Sequence, residues 1–439
     1  MVRVDERLAV SSTRRDSELE VDIAVIGGGV SGLVTAYLLQ RKHHVELFEA
    51  RDTAGGHANT VVTQGDAGEE VALDVGFIVY NERTYPVFNR LLRELGVDTR
   101  ASEMSFGISS QDGGFEYSSR GWRGYLGSPR NLFSLRRAIM GLDVLRFQRS
   151  ARDVLRRDAL HDVPFEEFLR HGRYSRDFRE RVIVPLIAST WSNAPADVLA
   201  FPTNYLFHFL DQHGVLALHS IPEWRWIVGG ARTYVDAILR TIDPMSIHLG
   251  TPIARVTRQR GGGCVELLDG EERHFDAVVL ACHADQALTL LGDPSLEERE
   301  ALGGFTYAQN HVVLHTDERV LPRRSSARAA WNYHRVEYEG FPTTLTMSYD
   351  LNRLQGLSGS TTYCVSVNPG ENVNPGRVIA AFDYAHLVYS LRTLEAQRRV
   401  RALQGKRQTY FAGAHLGYGF HEDGARSGVE VAESLGVHW

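Results

Sequence analysis

Apolar residues near the start of the chain occur in short runs that predict a strand, a helix and a second strand. Residues 21–26 form a mostly apolar run of strand length, and a longer apolar stretch with helical spacing ends at Leu39. A second short run, residues 45–48, follows a polar turn. Short apolar runs on both sides of a helix are typical of buried parallel strands. The chain therefore begins with a predicted βαβ unit.

Further helical and strand-like patterns fill the rest of the chain. Helices are predicted at residues 85–95, 131–160, 165–169, 205–212, 234–241 and 424–435. Strands are predicted at residues 71–80, 247–249, 253–257, 264–268, 277–281 and 408–413, and the segment 305–390 is strand-rich. The predicted helix at 131–160 has apolar residues at three- and four-residue spacing, namely Leu135, Ile139, Leu142 and Leu145. Mixed helices and strands of this kind predict an α/β fold.

The turn after the first strand carries the pattern G-x-G-x-x-G. Gly27 permits a tight turn, Gly29 lets the main chain approach a pyrophosphate, and Gly32 lets the helix pack against the strand. The helix N-terminus adds unpaired N–H groups and a partial positive charge. Glu49 follows the second strand, where a carboxylate can accept hydrogen bonds from ribose hydroxyls. We therefore predict a bound dinucleotide, contacted by Gly27, Gly29, Val30, Ser31, Gly32, Glu49 and Ala50.

Length, charge and cysteine content narrow the class of protein. The chain has 439 residues, which exceeds one ordinary core and predicts two joined domains. A net charge of −6 argues against a general nucleic-acid-binding protein. The 3 cysteines are far apart in sequence, so they indicate neither a disulfide framework nor a metal site. No apolar run would span a bilayer, and residues 1–20 are polar, so we expect a disordered tail and a cytoplasmic protein.

Two further segments, taken with the βαβ unit, give the chain a resemblance to a known family. They are Arg51-x-x-x-Gly55-Gly56 and the terminal Phe411-Ala-Gly413 with Gly424-Ala425. Together with the βαβ unit, they resemble the FAD-dependent amine-oxidase-like superfamily, which includes monoamine oxidases, phytoene desaturases, protoporphyrinogen oxidase and a flavin fatty-acid isomerase. A closer resemblance is to a bacterial subfamily often encoded beside cyclopropane-fatty-acid synthases. It is carried by residues 76–86, 228–234, 352–356 and 417–428.

The resemblance implies a two-domain, amine-oxidase-like fold with non-covalent FAD. A Rossmann-like FAD-binding domain would comprise residues 21–88, 226–295 and 405–439. A discontinuous α+β substrate domain would comprise residues 89–225 and 296–404. FAD is a long molecule anchored at the first βα turn, so a later segment has to return to hold its flavin ring. The C-terminal strand, turn and helix are the candidate for that task.

Individual cofactor contacts are also implied by the resemblance. Arg51, Gly55, Gly56 and His57 would lie against the pyrophosphate and the near edge of the flavin. The main chain of Val256 would pair with adenine, although Val256 could equally be a plain core valine. Gly413 would meet the ribityl chain, and the acid that many relatives place after this glycine is replaced here by Ala414 and His415. The remaining flavin contacts would come from Glu422, Asp423 and Ala425, with a helix N-cap as the alternative for Asp423.

Aromatic and polar residues near these segments are candidates for the substrate pocket. We predict catalytic roles for Tyr80, Trp331, Tyr418 and His421. Further pocket candidates are Asn81, Trp191, His213, Tyr349, Asn352, Gln355 and His415. Each of them has a structural role in the core as its alternative. The lysine that many amine oxidases use near the flavin has no obvious counterpart, because the two lysines are Lys42, just past the first helix, and Lys406, before the last strand.

Three functions follow as hypotheses. The first is an FAD-dependent oxidoreductase of the oxidase or desaturase type that removes a hydride from an activated C–H bond of a lipophilic, fatty-acyl-like substrate, with double-bond isomerisation as a variant. The second is oxidation of an amine or amino acid to an imine, and the third is a non-catalytic flavoprotein that binds lipid or a partner enzyme. The sequence leaves the oligomeric state open.

Residues 120–160 differ in charge from the rest of the chain. They contain ten arginines and three aspartates, which gives +7 locally in a chain of net charge −6. Contact with anionic lipid, at the inner surface of the membrane, is one interpretation. A solvated helix face over an ordinary core is the other.

Overall fold

A computed structural model describes residues 20–110, 114–126, 134–157, 162–216, 222–335 and 342–439. The predicted disordered tail therefore lies outside the described residues, apart from Glu20. Within the described part of the chain, no helix is both long and apolar enough to cross a membrane.

Strands are numbered in chain order. They are β1 (Asp22–Ile26), β2 (His44–Phe48), β3 (Thr60–Gln64), β4 (Glu70–Asp74), β5 (Tyr80–Asn81), β6 (Thr99–Ala101), β7 (Phe106–Ser110), β8 (Glu116–Ser118), β9 (Trp224–Ile227), β10 (Ile247–His248), β11 (Ile253–Gln259), β12 (Gly262–Leu267), β13 (Glu272–Phe275), β14 (Ala277–Leu280), β15 (Thr306–His315), β16 (Trp331–Arg335), β17 (Met347–Asp350), β18 (Cys364–Val367), β19 (Val378–Val388) and β20 (Thr409–Phe411).

Helices are numbered in the same way. They are α1 (Val30–Leu39), α2 (Pro86–Glu94), α3 (Gly121–Leu126), α4 (Leu135–Arg157), α5 (Phe165–His171), α6 (Arg176–Phe178), α7 (Val184–Trp191), α8 (Pro195–Val198), α9 (Thr203–Gln212), α10 (Arg232–Leu239), α11 (Ala284–Leu290), α12 (Leu296–Leu302), α13 (Leu351–Leu354), α14 (Leu391–Leu403) and α15 (His421–Ser434). A short π-helix, Arg179–Ile183, joins α6 to α7.

A five-stranded parallel sheet has the order β10-β2-β1-β14-β20. β1 lies at its centre, where Ile23 pairs with Val45 on one side and Ala277 on the other. β1 and β14 are almost fully apolar and buried because helices and other elements cover both faces of the sheet. Every residue of α1 is buried, which fits its mostly apolar sequence.

A seven-stranded mixed sheet forms the second large layer, with the order β19-β15-β18-β17-β16-β7-β8. Its strands come from the two inserts predicted for the substrate domain, whereas the strands of the parallel sheet come from the three segments predicted for the FAD-binding domain. Smaller sheets complete the fold: β11-β12-β13, β3-β4 and β5-β9-β6. The observed combination of a parallel sheet and an α+β layer agrees with the fold that the resemblance implies.

Several elements of the structure differ from the prediction, as three examples show. The run 71–80 is not one strand, because β4 ends at Asp74 and β5 begins only at Tyr80. The strand β13 was not predicted, since its sequence, Glu-Arg-His-Phe, is mostly polar and lies on a partly exposed sheet. The last helix begins at His421 and not at Gly424, because the carboxylate of Asp423 accepts a hydrogen bond from the N–H of Phe420 and stabilises an earlier start.

Candidate active site

The carboxyl ends of the parallel strands meet at one edge of the sheet. Main-chain hydrogen bonds continue across the first residues after the strands: Gly27 N–H to Phe48, Ala281 N–H to Ile26, and Ala412 N–H to Leu280. The turns after β1, β2, β14 and β20 therefore lie side by side. In open α/β sheets this edge is where ligands bind.

The glycine turn after β1 forms a cradle beside the N-terminus of α1. Gly27 has φ +112°, and a Cβ there would lie 2.6 Å from the carbonyl oxygen of Ala281. A Cβ on Gly32 would overlap the carbonyl oxygen of Gly27, so the helix packs directly on the turn. Gly29 differs, because a Cβ there would meet no atom within 4 Å. The structure therefore leaves space at the one glycine that the motif assigns to a pyrophosphate.

The loop after β2 forms the second wall of this cradle. The N–H of Gly55 donates to the carbonyl of Gly28 at 2.7 Å. Gly55 and Gly56 have φ of +123° and +59°, which favours glycine at both positions. A Cβ on Gly56 would lie 3.3 Å from the Cα of Gly29. The predicted contacts at Gly55 and Gly56 are thus adjacent to the glycine turn.

Glu49 lies at the same edge and is fixed by the main chain. Its carboxylate accepts hydrogen bonds from the N–H of Gly28 at 2.7 Å and the N–H of Arg51 at 2.9 Å. Each carboxylate oxygen retains capacity for a further hydrogen bond, as a ribose hydroxyl requires. The side chains of Ala50 and Arg51 are exposed, and the carbonyl of Arg51 accepts from Gly250. Both residues border the cradle.

The C-terminal helix α15 packs against the start of α1. A Cβ on Gly424 would lie 2.6 Å from Cγ1 of Val30, and a Cβ on Gly428 would lie 2.7 Å from the carbonyl oxygen of Ser31. Ala425, between them, is fully buried. The N-termini of α1 and α15 therefore meet, and the side chains of Val30 and Ser31 are used in this contact. Only their main-chain N–H groups can face a bound anion.

The turn after β20 brings a buried imidazole to the same region. Gly413 is extended, and its N–H donates to Oγ of Ser427 at 2.9 Å. The ring of His415 occupies the space beside Gly413 where a Cβ would lie. Nε2 of His415 is buried and has no hydrogen-bond partner among the described residues. A buried polar atom of this kind indicates a missing ligand group, such as a ribityl hydroxyl.

Four histidines surround the loop after β2 and are held neutral. The ring of His57 lies 5.4 Å from that of His386 and 6.1 Å from that of His283. Burial lowers the pKa of His57 well below its usual value, and it lowers the pKa of His386 to about 4 and of His415 to about 3. Burial also lowers the pKa of His283. At pH 7 this region therefore carries no imidazolium charge.

His386 is held by a polar chain from the substrate-side sheet. Nδ2 of Asn310 donates to Nδ1 of His386 at 2.9 Å and to the carbonyl of Ser192 at 2.8 Å. Nδ2 of Asn368 in turn donates to Oδ1 of Asn310 at 2.7 Å. The ring of His57 stacks on Tyr384 at 4.7 Å. The seven-stranded sheet and the loop after β2 thus meet through oriented polar groups at the predicted flavin end.

Sequence reasoning did not include His283, His386, Asn310 or Tyr384. His283 follows β14, and a residue just after a parallel strand is a signal that could have identified it. The other three lie within β15 and β19, in an irregular strand-rich segment where nothing local indicates a site.

An aromatic group flanks the C-terminal turn. The ring centroids lie 4.4 Å apart in the pairs Tyr205–Tyr418 and Trp191–Phe209. They lie 4.9 Å apart in the pair Phe209–Phe420. Nε1 of Trp191 donates to the carbonyl of Tyr418 at 2.9 Å. Burial raises the pKa of Tyr418 to about 12, so its hydroxyl stays protonated. We call Trp191, Tyr205, Phe209, Tyr418 and Phe420 the aromatic wall.

Two other predicted pocket residues, Trp331 and Tyr349, form a separate pair. Their rings meet edge to face at 5.2 Å, and both side chains are half-buried. Nε1 of Trp331 is buried without a partner among the described residues. Burial raises the pKa of Tyr349 to about 12. His213 lies elsewhere, stacked on Phe209 at 3.8 Å, and burial lowers its pKa to about 4.

Two of the predicted catalytic residues are structural. Tyr80 is 2% exposed and packs against Phe88, so its side chain faces a hydrophobic core and not an open cavity. His421 stacks on Phe77 at 3.7 Å, and its Nε2 is hydrogen-bonded to the hydroxyl of Tyr234 at 2.8 Å. Burial lowers the pKa of His421 to about 3. Neither environment suits proton transfer to a substrate.

Asn81, Asn352 and Gln355 are also structural. Oδ1 of Asn81 accepts from Thr84 at 2.9 Å, and Asn352 forms hydrogen bonds with Thr361 and Tyr363. Gln355 is fully buried and connects the main chain of the β4 strand to α13, through a bond at 3.1 Å from the N–H of Asp74. The hydrogen bonds of these side-chain amides stabilise turns and connect segments of the main chain.

The carboxylates predicted to contact the flavin are engaged elsewhere. The carboxylate of Glu422 accepts hydrogen bonds from the N–H groups of Val87 at 3.1 Å and Phe88 at 3.0 Å, and so caps the helix α2. The carboxylate of Asp423 is bonded to Phe420 and, at 2.6 Å, to Arg426. Contact with the cofactor from Glu422 and Asp423 is therefore left to their main chain, at the start of α15.

The surroundings of Val256 do not favour the predicted main-chain contact with adenine. Val256 is fully buried, and its carbonyl accepts a hydrogen bond from the N–H of Gly292 at 2.9 Å. It is a core valine with an occupied main-chain acceptor. The start of β11 is closer to the cradle, because the N–H of Thr251 donates to the carbonyl of Glu49 at 2.9 Å. Ile253, two residues later, is the better candidate for that contact.

Neither lysine lies at the carboxyl edge. Lys42 follows the C-terminal end of α1, with Nζ 3.4 Å from the carbonyl oxygen of Gly436. Lys406 is exposed and paired with Glu297 at 3.0 Å. A group of three potential metal ligands occurs among the described residues, namely Cys264, Glu272 and His274. It lies on β12 and β13 and not at the carboxyl edge.

These residues fit FAD. The space at Gly29, the fixed carboxylate of Glu49 and the unpartnered Nε2 of His415 lie on segments that meet at one edge of the sheet. They would contact the pyrophosphate, ribose and ribityl groups in turn. The fold and the site together define a protein that binds a flavin dinucleotide.

The family of the protein follows from its sequence. The family described as flavin containing amine oxidoreductase matches residues 30–382. The chain belongs to that family and is therefore an FAD-dependent oxidoreductase. Thiamine thiazole synthase from Desulfosudis oleivorans is 40% identical over 78 residues, which are 16% of this chain and 30% of that protein. The chain thus spans less than a third of the length of this curated relative.

Solved structures share the fold. A CLA-producing fatty acid isomerase from P. acnes has a TM-score of 0.65 at 15% identity, with 94% of this chain and 98% of that chain covered. A putrescine oxidase has a TM-score of 0.68 at 14% identity, with 95% and 99% covered. At these identities the similarity concerns the fold alone.

Proposed function

We propose that this protein removes a hydride from an activated C–H bond of a lipophilic substrate with a fatty-acyl-like chain. The observation that carries the proposal is that the buried imidazoles at the predicted flavin end are uncharged. The histidines beside the loop after β2 are uncharged at pH 7, and the nearby carboxylates of Glu422 and Asp423 are engaged with α2 and Arg426. An ammonium group would need a charged or basic partner on entering such a region, whereas an acyl chain needs none.

The aromatic wall supports an apolar substrate. It is built from the helices α7 and α9 and from the C-terminal turn, so it joins the segment predicted for the substrate domain to the C-terminal segment predicted for the FAD-binding domain. Gly417, in the same turn, accepts hydrogen bonds from the hydroxyls of Tyr205 at 2.7 Å and Tyr389 at 2.6 Å. These bonds fix the turn, and the partly exposed rings of Tyr205, Tyr418 and Phe420 would be the ones to contact an acyl chain.

FAD, when bound, accepts the hydride, and direct hydride transfer requires no acid–base pair from the protein. The residues of this chain would orient the substrate and exclude water. Burial keeps the hydroxyl of Tyr418 protonated and the imidazoles of His57 and His386 neutral, so these groups act as hydrogen-bonding partners and not as bases. This division of roles agrees with the absence of a paired acid and base among the described residues of the site.

Two similarities favour acyl chemistry. The solved fatty acid isomerase has this fold, and the sequence resembles the bacterial subfamily encoded beside cyclopropane-fatty-acid synthases. A redox-neutral double-bond isomerisation is therefore a variant of the same proposal, since it begins with removal of the same hydride. Family membership and the putrescine oxidase fold favour oxidation of an amine as the competing function.

The test is anaerobic mixing of purified, FAD-loaded protein with unsaturated fatty acids, cyclopropane fatty acids and amines. We expect flavin bleaching, or product formation without net bleaching, with the acyl compounds. The Gly29→Val variant, which we predict to be folded and free of flavin, is the control for background reaction. Anaerobic bleaching with amines alone, followed by peroxide formation when air is admitted, would overturn the proposal and establish amine oxidation.

A further inference from the structure

The first half of α4 presents apolar side chains to solvent. The exposed residues recur every three or four positions and so form one stripe: Leu135 (75% exposed), Ile139 (42%), Leu142 (61%) and Leu145 (40%). The opposite face of the helix is the buried one, where Met140, Phe147 and Ala151 enter the core. The stripe therefore takes no part in packing the fold, and its exposure has to serve another purpose or be a liability.

The second half of the same helix is strongly basic. Residues 146–157 contain five arginines and one aspartate, which gives a local charge of +4. Helical spacing places Arg146, Arg149 and Arg156 in line with the apolar stripe, and all three are exposed. The chain as a whole has a net charge of −6, so this positive charge is a local feature.

We propose that α4 docks the protein on the surface of a bilayer containing anionic phospholipid. The helix has 23 residues and is about 34 Å long at the usual rise per residue. Lying in the interface, its leucine-rich half would enter the acyl boundary while its arginines contact lipid phosphates. Charge complementarity selects this partner, because an anionic surface attracts the arginine end and repels the remainder of a net negative protein.

The surface is independent of the substrate proposed above. It lies on the substrate-side part of the chain, outside the parallel sheet and the cradle. Membrane contact would bring the protein to a source of lipophilic molecules, but a docked protein could act on any substrate. Failure of the lipid test would leave the proposed reaction untouched, and failure of the substrate test would leave the docking surface untouched.

The experiment is co-sedimentation of FAD-loaded protein with vesicles of phosphatidylcholine, alone or mixed in equal parts with phosphatidylglycerol. We expect binding to the mixed vesicles only, weakened by salt. The double variant Leu135→Ser and Leu142→Ser should lower the partition coefficient by roughly tenfold or more. Leu268→Ser is the matched control, since Leu268 is 69% exposed at a turn far from α4 in sequence and should bind as the wild type does.

Three results would overturn the proposal. They are a wild-type protein that stays in the supernatant with the mixed vesicles, equal binding by the α4 double variant, and equal loss in the Leu268→Ser control. Light scattering would show whether the stripe instead joins two copies of the chain. A wild-type dimer that the double variant converts to a monomer, with no change in vesicle binding, would assign the stripe to self-association and reject lipid docking.

Discussion

Gly29→Val should abolish FAD binding while leaving the apoprotein folded. Gly29 has φ −74° and ψ 178°, a conformation that valine adopts readily, and a Cβ there meets no atom within 4 Å. The added methyl groups would fill the cradle that a pyrophosphate needs. The matched control is Gly32→Val, whose Cβ would overlap the carbonyl oxygen of Gly27. That variant should fail in folding and not in binding alone.

The expected loss follows from two costs. Forcing a ligand against extra methyl groups costs about 1–3 kcal/mol, and losing one hydrogen bond to a charged phosphate oxygen costs about 1.5–3 kcal/mol. Together they raise the dissociation constant of FAD roughly 10²- to 10⁴-fold, since about 1.4 kcal/mol corresponds to a factor of ten.

The assay has two readouts. Flavin absorbance per mole of purified protein and fluorescence titration of the apoprotein measure binding, and thermal unfolding of the apoprotein measures stability. We expect an apoprotein melting temperature close to that of the wild type for Gly29→Val and a large decrease for Gly32→Val. Stoichiometric flavin in Gly29→Val would refute the assignment of the cradle.

Four further predictions test the site. Glu49→Gln should weaken FAD binding by about 1–3 kcal/mol in the same titration, because an amide offers the ribose hydroxyls one good acceptor where the carboxylate offers two; unchanged affinity would contradict the ribose assignment. His415→Leu should weaken FAD binding several-fold. It should maintain or raise the stability of the apoprotein, because the substitution removes a buried nitrogen that has no hydrogen-bond partner among the described residues. A destabilised apoprotein would show that the ring is structural. Tyr418→Phe should keep kcat for an acyl substrate within a few-fold, since a hydroxyl with a pKa of about 12 stays protonated at pH 7 and is a poor proton donor. A hundredfold loss would make Tyr418 an acid–base catalyst. Burial raises the pKa of Glu422 from 4.5 to about 7, so the folded state holds a proton that the unfolded state loses, and the free energy of unfolding falls as pH rises from 4.5 to 7. Between pH 5 and pH 8, urea unfolding should show the wild type losing up to about 3 kcal/mol more of this free energy than Glu422→Gln. Equal losses in the two proteins would exclude this titration.

The site was only partly predictable because its members depend on different ranges of interaction. Gly27, Gly29, Gly32 and Glu49 belong to one βαβ unit, whose local turn chemistry specifies their task. The capping of α2 by Glu422 joins residues more than 300 positions apart, and no local pattern announces it. No local pattern indicates the hydrogen bond between Asn310 and His386 either, since these residues are 76 positions apart.

The sequence by itself determined the class of cofactor, the parallel strands and the family, because strand periodicity and glycine-specific turns are local consequences of backbone sterics. Tertiary structure decided which side of an amphipathic segment is buried. The stripe on α4 has the spacing of a core face, yet the packing of Met140 and Phe147 turned it towards solvent. Tertiary structure also decided that Tyr80, His421 and Val256 are buried. Burial depends on how distant segments pack together and not on any one segment.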